Sequence, residues 1–101
     1  FCNLSEVVVR KEDDLDTLLD KVETATWLGM IQSTFTNFPY LRKEWKKNCD
    51  VERLLGVSLT GQMDNPSILT SEALAALKSR VLRISRKAST LLDRMFLHWT
   101  N

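Results

Sequence analysis

The chain has 101 residues, 44% hydrophobic and 27% charged, a composition that suits a folded domain and excludes a disordered tail. With 14 basic residues against 13 acidic ones, the net charge of +1 gives no long-range field for steering nucleic acid or an anionic membrane. No apolar stretch approaches the roughly 18 residues of a membrane span, and the first residues lack the basic, apolar and small-residue order of a secretory signal, so the expected location is cytoplasmic.

The opening residues Phe1-Cys2-Asn3-Leu4-Ser5-Glu6-Val7-Val8-Val9-Arg10 carry three consecutive valines, which suit a pleated, mostly buried strand better than a helix. Leu4, Val7 and Val9 are set against Ser5, Glu6 and Arg10, and Cys2 at the head of the run is expected to point into a packed interior, as unpaired cysteines usually do. In Lys11-Glu12-Asp13-Asp14, Asp13 or Asp14 can cap a helix, and the acidic cluster suits its positive end. Leu15, Leu18, Leu19, Val22 and Ala25 follow at three- and four-residue spacing. From Trp27 to Phe35 the apolar residues spread around the helix, which predicts burial on more than one side, and Phe38-Pro39 is expected to end it. Tyr40 to Glu52 is strongly charged around Trp45 and reads as a short helix or ordered loop.

Leu54 to Gly61 is the second strand. Leu55, Val57 and Leu59 face one side, while Gly56, Ser58 and Thr60 leave the other small and polar, open to backbone, another strand or a ligand. Asp64-Asn65-Pro66-Ser67 forms a turn. A last helix begins near Ser71, with Leu74, Leu77, Val81, Ile84, Ala88, Leu91 and Met95 in steps of three and four. The order strand, helix, strand, helix predicts an α/β fold with a parallel pair, because a long helical crossover joins strands that run the same way.

Three blocks resemble the cobalamin-dependent (class II) ribonucleotide reductases. These are Phe1 to Arg10, then Thr26 to Asn37 continuing into Tyr40-Leu41-Arg42-Lys43-Glu44-Trp45-Lys46-Lys47-Asn48-Cys49, and Arg53-Leu54-Leu55-Gly56-Val57-Ser58-Leu59-Thr60-Gly61-Gln62-Met63-Asp64. The resemblance covers about three quarters of the chain and fades after Ala76, so residues 1–78 are expected to be part of the catalytic barrel and 79–101 a helical segment without a clear counterpart. It implies a helix-rich piece of a ten-stranded α/β barrel that reduces ribonucleotides to deoxyribonucleotides. Adenosylcobalamin is the implied radical source. A loop cysteine, expected with its Asn and Glu upstream of Phe1, takes the substrate's 3′-hydrogen, and two other cysteines reduce the 2′ position and end as a disulfide.

By the resemblance, Cys2 is one member of that redox pair, and its partner belongs to another part of the enzyme. The implied partners are the remainder of the reductase chain, a ribonucleoside di- or triphosphate and a thioredoxin-type reductant, with no nucleic acid and no membrane; the piece is expected to be inactive alone. The residues also admit plainer uses. Cys49 reads as structural, and neither cysteine stands in a zinc or Cys-x-x-Cys spacing. His98, the one histidine, reads as a surface or partly buried side chain without a metal or triad partner. The rival reading is a small helical interaction module, in which the last helix uses its apolar seam and Lys78, Arg80, Arg83, Arg86, Lys87 and Arg94 to form a coiled coil or bind an anionic partner.

Overall fold

The computed structural model describes residues 1–100, with side chains through Arg94. Met95 and His98 therefore have side chains outside the described residues. Strand β1 (Asn3–Val8) leads through helix α1 (Leu15–Gln32) and helix α2 (Lys43–Glu52) to strand β2 (Leu55–Thr60). Two short 3-10 turns, Gln62–Asp64 and Pro66–Ile68, then precede helix α3 (Ser71–Thr100). The fold is mixed α/β, with three helices and a two-stranded parallel sheet, as the element order predicts.

The sheet pairs Asn3 with Leu55 through to Val8 with Thr60. The ladder is extended at both ends, where Asn3 N donates to Leu54 O and Val9 N to Thr60 O, each at 2.8 Å. Side chains alternate across a strand. Val7 and Val9 are buried in the core, and Ser5 on the same row donates its hydroxyl to Ala25 O of α1 at 3.0 Å. Leu4 is 69% exposed, which corrects the expectation that it shares a side with Val7 and Val9: an odd separation along a strand puts two residues on opposite faces.

Helix α1 starts on a reciprocal cap. Asp14 Oδ1 accepts from Thr17 N at 2.8 Å, and Asp14 N donates to Thr17 Oγ1 at 2.9 Å, so donors that the helix start leaves open are satisfied. Leu18, Val22 and Ala25 pack with Val7, Val9 and Leu77 of α3 in one cluster, against which Val57, Leu59 and Val81 are partly buried. Thr26, fully buried, returns its hydroxyl proton to Val22 O at 2.6 Å. Gly29 lets α1 approach β2, since a Cβ there would run into the Leu55 side chain. The helix ends at Gln32, earlier than Phe38-Pro39, because Ser33 closes its last turn by donating to Gly29 O and Ile31 O. Leu28, Ile31 and Phe35 are exposed, so the expected burial of its second half on several sides does not occur: sheet and α3 cover one side only.

The charged stretch forms α2, which buries Cys49 and ends at Arg53 in the left-handed conformation, φ 44°. Arg53 then ties three elements together, with Nε and Nη2 donating to Ser33 Oγ at 3.3 and 3.1 Å and Nη1 meeting Asp93 Oδ1 of α3 at 3.2 Å. Helix α3 packs mainly on α1, through Ala73, Leu77, Ile84 and Ala88, whereas Leu74 and Leu91 of the anticipated seam sit exposed on its flanks. It runs unbroken across 78/79, and just beyond, Arg80 Nη1 meets Glu23 Oε2 of α1 at 2.8 Å. Among the described residues no helix is long and apolar enough to cross a membrane.

Gly61 ends β2 at φ +71°, and a Cβ there would lie 2.7 Å from Val9 O. Both the backbone conformation and the fixed carbonyl oppose a side chain. Gly61→Ala is expected to lower unfolding free energy by about 1–3 kcal/mol in urea titration. Gly56→Ala should cost less, because the nearest obstacle at 2.8 Å is the movable tip of Leu4.

Candidate functional site

The sheet has unlike faces. All the helical cover lies on the row of Ser5, Val7, Val9, Val57 and Leu59, while Leu4, Glu6, Val8, Ser58 and Thr60 are exposed on the other. Cys2 stands one residue before β1, and the alternation carried back by that residue aligns it with Leu4, Glu6 and Val8. It is exposed, correcting the expectation of a packed interior: α1 and α3 cover the opposite row, and Leu4, Glu6 and Val8 on this one are exposed as well. Cys2, Ser58 and Thr60 share a face but not a place. The register sets Cys2 level with Leu54, so Ser58 lies about 13 Å and Thr60 about 20 Å farther along the sheet.

What the fold does bring to Cys2 is Cys49. Both line a hollow of about 240 Å³, together with Phe1, Ser33, Phe35 and Phe38. The Phe1 nitrogen lies 3.5 Å from Cys49 Sγ. The Phe1 ring stacks on Trp45 of α2, with centroids 4.8 Å apart, and meets Phe38 edge-on at 5.2 Å, pinning the start of the chain against α2. Cys49 is 8% exposed. Its place beside Cys2 has no spacing signature, since the two are far apart in sequence and meet through the packing of Phe1 on α2.

The carboxyl ends of the strands hold a polar clamp whose members carry no joint signature in the sequence. Asn65 Nδ2 points at three carbonyls of the β1–α1 loop, Arg10 O at 3.3 Å, Lys11 O at 3.2 Å and Asp13 O at 2.8 Å. The Asp13 carboxylate accepts from Lys21 Nζ at 2.6 Å, Arg10 N at 2.7 Å and Thr17 Oγ1 at 3.0 Å. The Lys21 bond, with the Arg10 amide and the Thr17 hydroxyl, holds the Asp13 carboxyl below the usual carboxylate range against the opposing effect of burial. Asn65 reads in the sequence only as the residue before Pro66, and its bonds depend on two loops meeting.

Among the described residues no three His, Cys, Asp or Glu side chains converge, and the hollows are small surface clefts between elements. Of the rival reading's basic residues, Arg80 is engaged with Glu23, and much of the apolar seam is spent on α1 inside the chain. Compared with known proteins, the chain matches no family model, no curated protein and no solved structure.

Two measurements check this geometry. Under native conditions iodoacetamide should alkylate exposed Cys2 well before buried Cys49, read by peptide mass spectrometry; equal rates would refute the packing of α2. Because the folded-state pKa of Asp13 is depressed, the unfolded chain takes up its proton first, and the stability it contributes is present above pH about 4 and lost as pH falls through the lower folded value. Asp13→Asn should therefore be less stable than the unaltered chain at pH 7, with the difference shrinking towards pH 2.

Proposed function

We propose that the chain is a strand–helix–strand–helix piece of the catalytic barrel of a cobalamin-dependent ribonucleotide reductase, with Cys2 as one of the two thiols that reduce the substrate. The observation that carries the reading is the bare sheet face. A two-stranded parallel sheet with helices on one face, and exposed Leu4, Val8, Ser58 and Thr60 on the other, has the layering of a barrel wall, helices outside and substrate side within. By side-chain alternation Cys2 belongs to the row on that side, and the resemblance implies a redox cysteine at its position.

In this reading Cys2 and a second thiol outside residues 1–101 together give two electrons and two protons to the ribose. The 2′-hydroxyl leaves as water, a hydrogen replaces it, and the two sulfurs become a disulfide. A thioredoxin-type protein then returns the pair to thiols by exchange. The substrate is a ribonucleoside di- or triphosphate. Adenosylcobalamin, as the source of the initiating radical, is held by residues elsewhere in the enzyme.

The test is made in the complete reductase containing these residues. Cys2→Ser should abolish turnover with thioredoxin while nucleotide and cobalamin binding stay close to unaltered, and Cys49→Ser should leave turnover under reducing conditions nearly unchanged. Undiminished turnover in Cys2→Ser would remove Cys2 from the chemistry and the reading with it.

A further inference from the structure

Cys49 is a nucleophile that the proposed chemistry leaves unused, and the fold sets it beside the one cysteine that chemistry needs. We infer that Cys2 and Cys49 form a dithiol site that closes to an intramolecular disulfide by exchange with a low-molecular-weight disulfide such as oxidised glutathione. The two residues line one hollow of about 240 Å³, Cys2 exposed just before β1 and Cys49 buried on α2. The Phe1 nitrogen is 3.5 Å from Cys49 Sγ, and backbone dimensions then put the Cys2 Cα within about 9 Å of that sulfur.

A disulfide requires Cα atoms within roughly 7 Å, and the same dimensions put the two Cα atoms within about 12 Å, so closure needs at most about 5 Å of movement. The chain can supply it. The ladder starts with Asn3 N on Leu54 O, and Cys2 lies outside it, so Cys2 can turn between the held Phe1 ring and Asn3 without breaking a strand pair. Stacking of Phe1 on Trp45, in the same helix as Cys49, keeps the two thiols in one neighbourhood and raises their effective concentration.

The exchange balances in two steps. The exposed Cys2 thiolate attacks the small disulfide, forming a mixed disulfide and releasing one thiolate. The Cys49 thiolate then attacks the Cys2 sulfur and releases the second. Two protein thiols are oxidised, one disulfide is reduced to two thiols, and the protein protons end on them. Closure would hold Cys2 away from any other sulfur. That consequence for catalysis rests on the reductase reading, whereas the disulfide does not.

The experiment treats the reduced full chain with excess oxidised glutathione, quenches it with acid, alkylates it and reads it by non-reducing peptide mass spectrometry. Expected is a product two hydrogens lighter, with the Cys2 and Cys49 peptides joined and no alkylatable thiol. Cys49→Ser should instead accumulate glutathione on Cys2. Closure should be roughly tenfold slower or more in concentrated guanidinium, where proximity is lost. A persistent glutathione adduct on Cys2 with Cys49 still alkylatable, or closure as fast in denaturant as in its absence, would overturn the inference. Failure here alongside lost turnover in Cys2→Ser would leave the reductase reading standing, and the converse result would remove that reading alone.

Discussion

The whole arrangement depends on burying one row of a parallel strand pair under α1. Parallel strands cannot be closed by a tight turn, so β1 and β2 meet only because the crossover between them carries a helix whose Leu18, Val22 and Ala25 fit against Val7 and Val9. Gly29 sets how close that helix can lie, since the Leu55 side chain occupies the space a Cβ would take. Once that contact forms, side-chain alternation fixes which residues are left bare on the other face. The exposure of Cys2, Leu4, Ser58 and Thr60 therefore follows from the packing of residues that take no part in any chemistry.

Much of this was readable from local pattern. The acidic run before Leu15 marked the cap of α1, the three- and four-residue spacing marked its buried stripe, and the alternation in Leu55, Val57 and Leu59 marked the inner row of β2. Leu4 shares the hydrophobicity of Val7 but not its parity, and along a strand an odd separation decides the face. Leu28 and Ile31 were misread because apolar residues around a helix signal burial by whatever surrounds it, and here only one side is covered. The parts of the site that escaped, Cys49 beside Cys2 and Asn65 on the loop carbonyls, are long-range meetings with no spacing of their own.

Some of the exposed apolar residues, Val8, Leu28, Leu74 and Leu82, border the open edges of the sheet. A cleft of about 400 Å³ runs between β1 and α1, lined by Val8, Lys21 and Leu28, and another of about 270 Å³ lies between β2 and the helices, lined by Val57, Leu59, Leu74 and Leu82. Each borders one strand of a sheet that has no third strand among the described residues. Unpaired strand edges beside apolar clefts are costly to leave in water, and a neighbouring strand with its own helix would cover both. The charged and polar residues of the bare face, Glu6, Ser58 and Thr60, make that face a poorer seat for another helix than for a hydrated or ligand-filled interior.

Cys2 sits at the amino end of β1, whereas open α/β sheets usually place their ligands beyond the carboxyl ends of the strands. In this chain those carboxyl ends are tied down by Asn65, Asp13 and Lys21, whose bonds join the two loops to each other and hold them in place. In an open sheet that would argue against a reactive thiol at Cys2. A closed barrel changes the geometry, because its interior runs the full length of the strands and a thiol at either end can face what lies inside. The redox assignment of Cys2 therefore depends on the proposed barrel, which the bare face supports.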